Sequence, residues 1–242
     1  MSLNICCLKW GDKFSHDHVN KLYKMVCKRF HKDFTFICYT DNPDGIDSNV
    51  VTIPLPDYQL ETWWWKLTLF QYAIKETTIF FDLDVVLQND ITHLVDYSES
   101  GKLCTIKAYW KPHRIDMEPK PPGFDMNLNS SVMIWKGDLT KIWDTFIEDP
   151  EKYMFTYKGI DSFLYFHHFE KLNWLPKGEV YSRLYGYDEN NYQRAGKEEV
   201  KKYFYKEDYN ICIFNGWRRK TETGNSNYLL DDDGYQGFEK YY

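Results

Sequence analysis

The sequence predicts an α/β fold, with a mostly parallel central sheet flanked by helices and an elaborated C-terminal half. Three observations predict it. Apolar β-branched and aromatic runs alternate with helix-period segments in the order β-α-β-β-α-β between Leu3 and Asp84, which implies a largely parallel sheet with helices on its faces. The chain has 242 residues, 43% of them hydrophobic, which is enough to bury a substantial core. Neither an internal repeat nor a flexible linker divides it, so residues 1–242 read as one domain.

The elements follow in order. "LNICCLKW" (3–10) reads as a buried strand, and Val19, Leu22, Tyr23, Val26 and Phe30 place a helix over 16–30. "FTFICYT" (34–40) is a second strand, closed by the turn signal "DNPDG"; "NVVTIPL" is a short third, ended by prolines. "ETWWWKLTLFQYAIKE" (61–76) reads as an amphipathic helix. Trp63, Trp64 and Trp65 cannot all face one way on it, so at least one belongs to the core. "TTIFFDLD" is the next strand, "ITHLVDY" a short helix and "KLCTIKAYW" a further strand.

Residues 111–129 carry four prolines and no apolar period, and so form a long loop of the kind that often shapes a binding site. "SSVMIWKG" returns to strand, "LTKIWDTFIED" and "IDSFLYFHHFEK" to helix. His167 and His168 on the latter read as structural. From Arg183 onward the chain is irregular apart from a late strand in "YNICIFNGW", and "DDDGYQGFEKYY" reads as a solvated tail.

Composition narrows the function. A formal net charge of −6 gives no basic surplus for nucleic acid. No basic-then-apolar leader opens the chain, and no run approaches the roughly 18 apolar residues of a membrane helix. Cysteines at 6, 7, 27, 38, 104 and 212 form no C-x-x-C pair, which suits reduced thiols and a cytoplasmic location. Aromatic residues reach 19%, compatible with a carbohydrate site and equally with an aromatic core.

The chemistry concentrates at "TIFFDLDVV". Alternation along a strand sends Asp82 and Asp84 to one side, at the strand end where ligands collect in such sheets. Two carboxylates so close repel unless a cation lies between them, and oxygen ligands suit Mg²⁺ or Mn²⁺. An ion held by two carboxylates keeps open positions for a phosphate; the plain competitor is a solvated pair opening a turn. Arg218, Arg219 and Lys220 form a donor cluster suited to phosphate oxygens, or a solvated basic turn.

"WWWKLTLFQYAIKETTIFFDLDVVLQNDITHL" resembles the core of GT-A fold glycosyltransferases, above all the glycogenin-like (glycosyltransferase family 8-type) group, with its W/R-x-K-L helix and "YLDxDxxxxxdlxxLf" segment. "LNSSVMIWKGDLTKIW" (128–143), "GIDSFLYF" (159–166) and "IFNGWRRK" (213–220) resemble that group's "FNsGvmlin…w", "gDQxxxN" and "HFxGxxKPW".

The resemblance implies a Rossmann-like GT-A fold whose 1–100 half binds a nucleotide sugar, a UDP-sugar foremost, and whose 101–242 half faces a glycan, lipid or protein acceptor. It implies that Asp82 and Asp84 hold Mn²⁺ (or Mg²⁺) on the donor diphosphate. Lys66 would contact the donor, Asn129 and Ser130 the sugar or acceptor edge, and Asp161 the anomeric carbon, with Asp161 and Asn129 catalytic. An N-cap is the competing reading of Asp161. By position, "KWGDKFS" with Trp10 lies near the nucleobase. The group retains anomeric configuration.

Three departures stand out: the group's metal-binding histidine falls on Ile213, its glutamine on Ser162 and a glycine on Ser131. "FFDLDVV" also fits a haloacid-dehalogenase-type phosphatase with Asp82 as nucleophile and 231–234 as late carboxylates, but that motif usually opens its fold, and the long α/β pattern ahead of Asp82 would then stand unused. A nucleotidyltransferase lacks its glycine-rich loop here. A sugar-nucleotide binder without turnover is favoured by Ile213.

Overall fold

A computed structural model describes residues 3–111, 127–157, 159–192, 203–215 and 238–242. The first apolar run forms β1 (Leu3–Lys9), with Ile5 and Cys7 facing one side of the sheet and Cys6 the other. Helix α1 (His16–Arg29) starts at Ser15, whose side chain accepts the Asp17 N–H while His18 reaches back to the Ser15 backbone. Its apolar stripe of Val19, Leu22 and Val26 packs on the Ile5–Cys7 face.

Strands β2 (Thr35–Thr40) and β3 (Val51–Pro54) continue the sheet, and β4 (Ile74–Phe81) carries the run into the aspartates. The three pairings β3–β2, β2–β1 and β1–β4 are all parallel. Short β5 (Val85–Leu87) follows the aspartates, then β6 (Leu103–Lys107) and the long β7 (Leu128–Gly137). Helices α2 (Thr140–Ile147), α3 (Pro150–Thr156) and α4 (Ile160–His168) lead to β8 (Leu172–Leu175), β9 (Val180–Ser182) and β10 (Ile211–Ile213).

The large sheet runs β3-β2-β1-β4-β7-β6-β8, with β7 antiparallel to both neighbours. A small sheet, β5-β10-β9, stands beside it. The α/β class and mostly parallel sheet expected from the sequence are observed. Its second face carries an aromatic core in which Trp64 stacks on Phe146 at 5.3 Å beside Phe163. Among the described residues no helix is long and apolar enough to cross a membrane.

Several elements differ from expectation. The 61–76 segment is not an α-helix: Thr62–Phe70 forms a 3₁₀ helix, and β4 already begins at Ile74. Trp64, Trp65, Leu67, Leu69 and Phe70 are all buried, so the segment is wrapped by protein instead of presenting one stripe. Thr62 enters it at φ +48°, a left-handed conformation rare for a β-branched residue. Helix α3, opened by Pro150 and capped by the Asp149 side chain, and strands β8 and β9 have no counterpart among the expected elements.

Candidate active site

Strand β4 ends at Phe81, so Asp82 and Asp84 do not alternate along a strand as expected. They sit in a turn closed by Val85 N–H to Asp82 carbonyl at 3.3 Å, and the chain then enters the small sheet. Both ends of the turn are fixed. Asp82 donates its N–H to the Ser131 carbonyl on β7 at 2.9 Å, and Phe214, next to β10, donates to the Asp84 carbonyl at 2.9 Å.

The buried 3₁₀ helix delivers Lys66 to this turn. Its ammonium donates to Asp82 Oδ2 at 2.7 Å, to the Ser130 carbonyl at 3.3 Å and to Ser130 Oγ at 3.4 Å, and lies 5.4 Å over the Phe80 ring. A buried lysine keeps its charge only with such partners. Ser130 in turn donates its backbone N–H to Asp161 Oδ1 at 3.1 Å. Asp82, Lys66, Ser130 and Asp161 thus form one connected chain drawn from four elements.

Asp161 lies in the first turn of α4, whose N-cap is Gly159, so the N-cap reading of Asp161 is not realised. A Cβ at Gly159 would meet the Trp63 indole, which would have to shift. Burial pushes the Asp161 carboxyl above its usual range, opposed by the Ser130 hydrogen bond and the charges of Lys66 and Lys111.

Asp84 differs from its neighbour. Its Oδ1 is sealed from solvent without a hydrogen-bond partner among the described residues. Burial, and then the Asp82 charge, push its carboxyl up to about 6, while Lys13 and Lys66 pull it down. An unpartnered buried carboxylate oxygen beside a second carboxylate fits a divalent cation with oxygen ligands. The described residues supply only these two, since no group of three or more His, Cys, Asp or Glu able to hold an ion occurs among them. Ile213 is fully buried in β10 opposite Val85, so the position of the resembled histidine is apolar core.

The remaining expected residues divide. The Asn129 side chain accepts the Ser131 N–H at 3.0 Å and its carbonyl accepts from Thr105 Oγ1 at 3.0 Å, where β6 and β7 shift register. It thereby fastens the strand that carries Ser130. Trp10 follows β1 and lies 6.4 Å from the Trp65 ring, tilted by 36°. Arg218, Arg219, Lys220, the 231–234 carboxylates and most of the proline-rich loop fall outside the described residues. Lys13, in the same "KWGDKFS" as Trp10, also acts electrostatically on Asp84 from the loop after β1, and no motif singles it out.

Solved glycosyltransferases share this architecture. The galactosyltransferase LgtC, solved with donor and acceptor sugar analogs, aligns with a TM-score of 0.61 at 13% identity, over 98% of this chain and 93% of LgtC. The bifunctional glycosyltransferase WbbM aligns at 0.57 and 7% identity over 89% of this chain, and GlyE of Streptococcus pneumoniae at 0.54 and 12% over 75%. The alignments span about half the length of WbbM and GlyE, 46% and 47%. No protein-family profile and no curated protein sequence matches the chain. The chain has the GT-A glycosyltransferase fold.

Proposed function

We propose that this protein is a glycosyltransferase that moves a sugar from a nucleotide-sugar donor, a UDP-sugar foremost, to a glycan, lipid or protein acceptor. The observation that carries the reading is the connected Asp82–Lys66–Ser130–Asp161 chain at the end of β4, with the unpartnered Asp84 oxygen beside it. Breaking the bond between a sugar C1 and a diphosphate builds negative charge on the departing oxygens. Mn²⁺ or Mg²⁺ held by Asp82 and Asp84 would supply electrostatic stabilisation of that charge.

The protein's own groups do the rest. Lys66 places an ammonium within reach of the same region and orients Asp82. Ser130 fixes Asp161, whose carboxylate can orient sugar hydroxyls or stabilise positive charge developing at the anomeric carbon with retention of configuration. Asn129 contributes by holding Ser130 and Ser131 in register. The fold match over 98% of the chain favours this reading over the phosphatase, which leaves everything ahead of β4 without a role. Ile213 in the histidine position favours a second reading, nucleotide-sugar binding without turnover.

A thermal-shift panel of nucleotide sugars with and without Mn²⁺ tests the proposal, followed by assay of nucleoside diphosphate release. Stabilisation by one nucleoside class that grows with Mn²⁺ is expected, together with its loss of metal dependence in Asp84→Asn. A panel without any stabilised class would sink the proposal, and binding without release would select the second reading.

A further inference from the structure

Three consecutive tryptophans open the 3₁₀ helix, and the structure separates them. Trp64 and Trp65 belong to the aromatic core, whereas Trp63 is 43% exposed. Among the described residues its indole stacks on no other ring and makes no hydrogen bond. A large aromatic surface is left open beside the candidate site.

The local backbone directs this ring. Thr62, immediately before it, takes φ +48°, and a β-branched residue held there carries strain that the rest of the fold must offset. Strain of this kind gathers at positions that meet a ligand. In a 3₁₀ helix side chains three apart eclipse, with about 2.0 Å of rise per residue, so Trp63 stands in line with Lys66 about 6 Å along the axis. An α-helix would turn the two about 60° apart. On its other side the Trp63 indole rests against Gly159, in the space that a Cβ would take. Asp161 follows two residues later in the first turn of α4 and keeps part of its surface open to solvent. Trp63 thus borders the Lys66–Ser130–Asp161 chain at both Lys66 and Asp161.

A flat apolar ring beside a fixed carboxylate matches one chemistry closely. A pyranose presents one face of C–H bonds and a belt of hydroxyls; the indole covers the first and a carboxylate accepts from the second. An acyl chain on the ring would leave the neighbouring carboxylate desolvated without a donor. A lone protein hydroxyl would leave the ring uncovered.

We propose that Trp63 is the stacking platform for the acceptor, whose terminal unit is a pyranose held between the indole and Asp161, so that the acceptor is a glycan. The proposal rests on the glycosyltransferase reading above, and names the acceptor class for that same site.

The test is saturation-transfer difference NMR of the full chain with methyl α- and β-glycosides of glucose, galactose, mannose and N-acetylglucosamine. At least one glycoside should bind the native protein, with transfer strongest to the C–H protons of one ring face. Trp63→Leu, which keeps apolar bulk without a flat ring, should weaken that binding about tenfold, and Trp63→Ala should do the same. Trp63→Phe should hold it within about threefold. Tyr72→Ala removes another exposed aromatic, before the start of β4 and so at the end of that strand away from Asp82, and should behave as native. Thermal shifts with the nucleotide-sugar panel should be alike in native and Trp63→Leu protein. Absence of binding by every glycoside, or equal binding by Trp63→Leu, would overturn the acceptor proposal alone. So would a nucleotide-sugar shift lost in Trp63→Leu, which would assign the ring to the donor. A native protein shifted by none of the nucleotide sugars would overturn the glycosyltransferase reading and the platform with it.

Discussion

Lys66 Nζ stands 2.7 Å from Asp82 Oδ2, with the two side chains only 10% and 23% exposed. Removing one partner of such a pair strands a charge in low dielectric, which costs more than the pair itself contributes. Lys66→Met should therefore lose about 3 kcal/mol in urea denaturation. The double variant Lys66→Met/Asp82→Asn should recover at least about 1 kcal/mol of that loss, since residues in contact are non-additive. Additive losses would show that Lys66 is held by Ser130 and packing alone.

The Asp84 carboxyl predicts a pH dependence of stability in metal-free buffer. Its folded value, about 6, lies above the ordinary 3.8, so the native state binds the proton more tightly than the unfolded chain. Native stability from this group is therefore greatest below 3.8 and declines as pH rises through about 6, where the buried carboxylate ionises. Asp84→Asn cannot ionise and escapes that decline. Between pH 4 and pH 7 the variant should gain on the order of 2 kcal/mol relative to native, measured by denaturation with a chelator present. A constant difference across that range would contradict the assignment of burial as the dominant cause.

Thr62 enters the 3₁₀ helix at φ +48°, where its branched side chain crowds the backbone. Asparagine tolerates this conformation better. Thr62→Asn should raise the thermal midpoint by about 3 °C, corresponding to roughly 1 kcal/mol in a chain of this size. Calorimetry showing a lowered midpoint would mean that the threonine makes a contact worth more than the strain.

The parallel half of the sheet is legible in the sequence because its strands are long apolar runs separated by a capped, striped helix and by prolines. The segment 61–76 misleads for a physical reason. Its apolar residues are buried nearly all round, so no stripe distinguishes a 3₁₀ turn from an α-helix, and the final "IKE" belongs to the next strand. Strands β5 and β9 have three residues each and derive their identity from pairing with β10, a long-range fact that a local pattern does not carry, whereas β10 lies within the late strand expected from "YNICIFNGW".

The site follows a similar rule. Motifs single out Lys66, Asp82, Ser130 and Asp161 one by one, and the structure joins them. The resemblance assigns Asn129 to chemistry, and the structure adds that its side chain accepts the Ser131 N–H within β7. Lys13 has no motif of its own, and the parallel register of β1 with β4 brings its loop to the sheet edge from which the aspartate turn leaves.

The aspartate turn is also the passage from one sheet to the other. Asp82 is gripped by β7 of the large sheet, while Asp84 is gripped through Phe214, beside a strand from the far end of the chain. A shortened polypeptide ending before β10 would still contain both acids but would lack the brace that sets their spacing. The spacing of the two acids therefore belongs to the fully assembled chain, and a slow final docking of the small sheet would appear as a lag between regained secondary structure and regained tertiary packing.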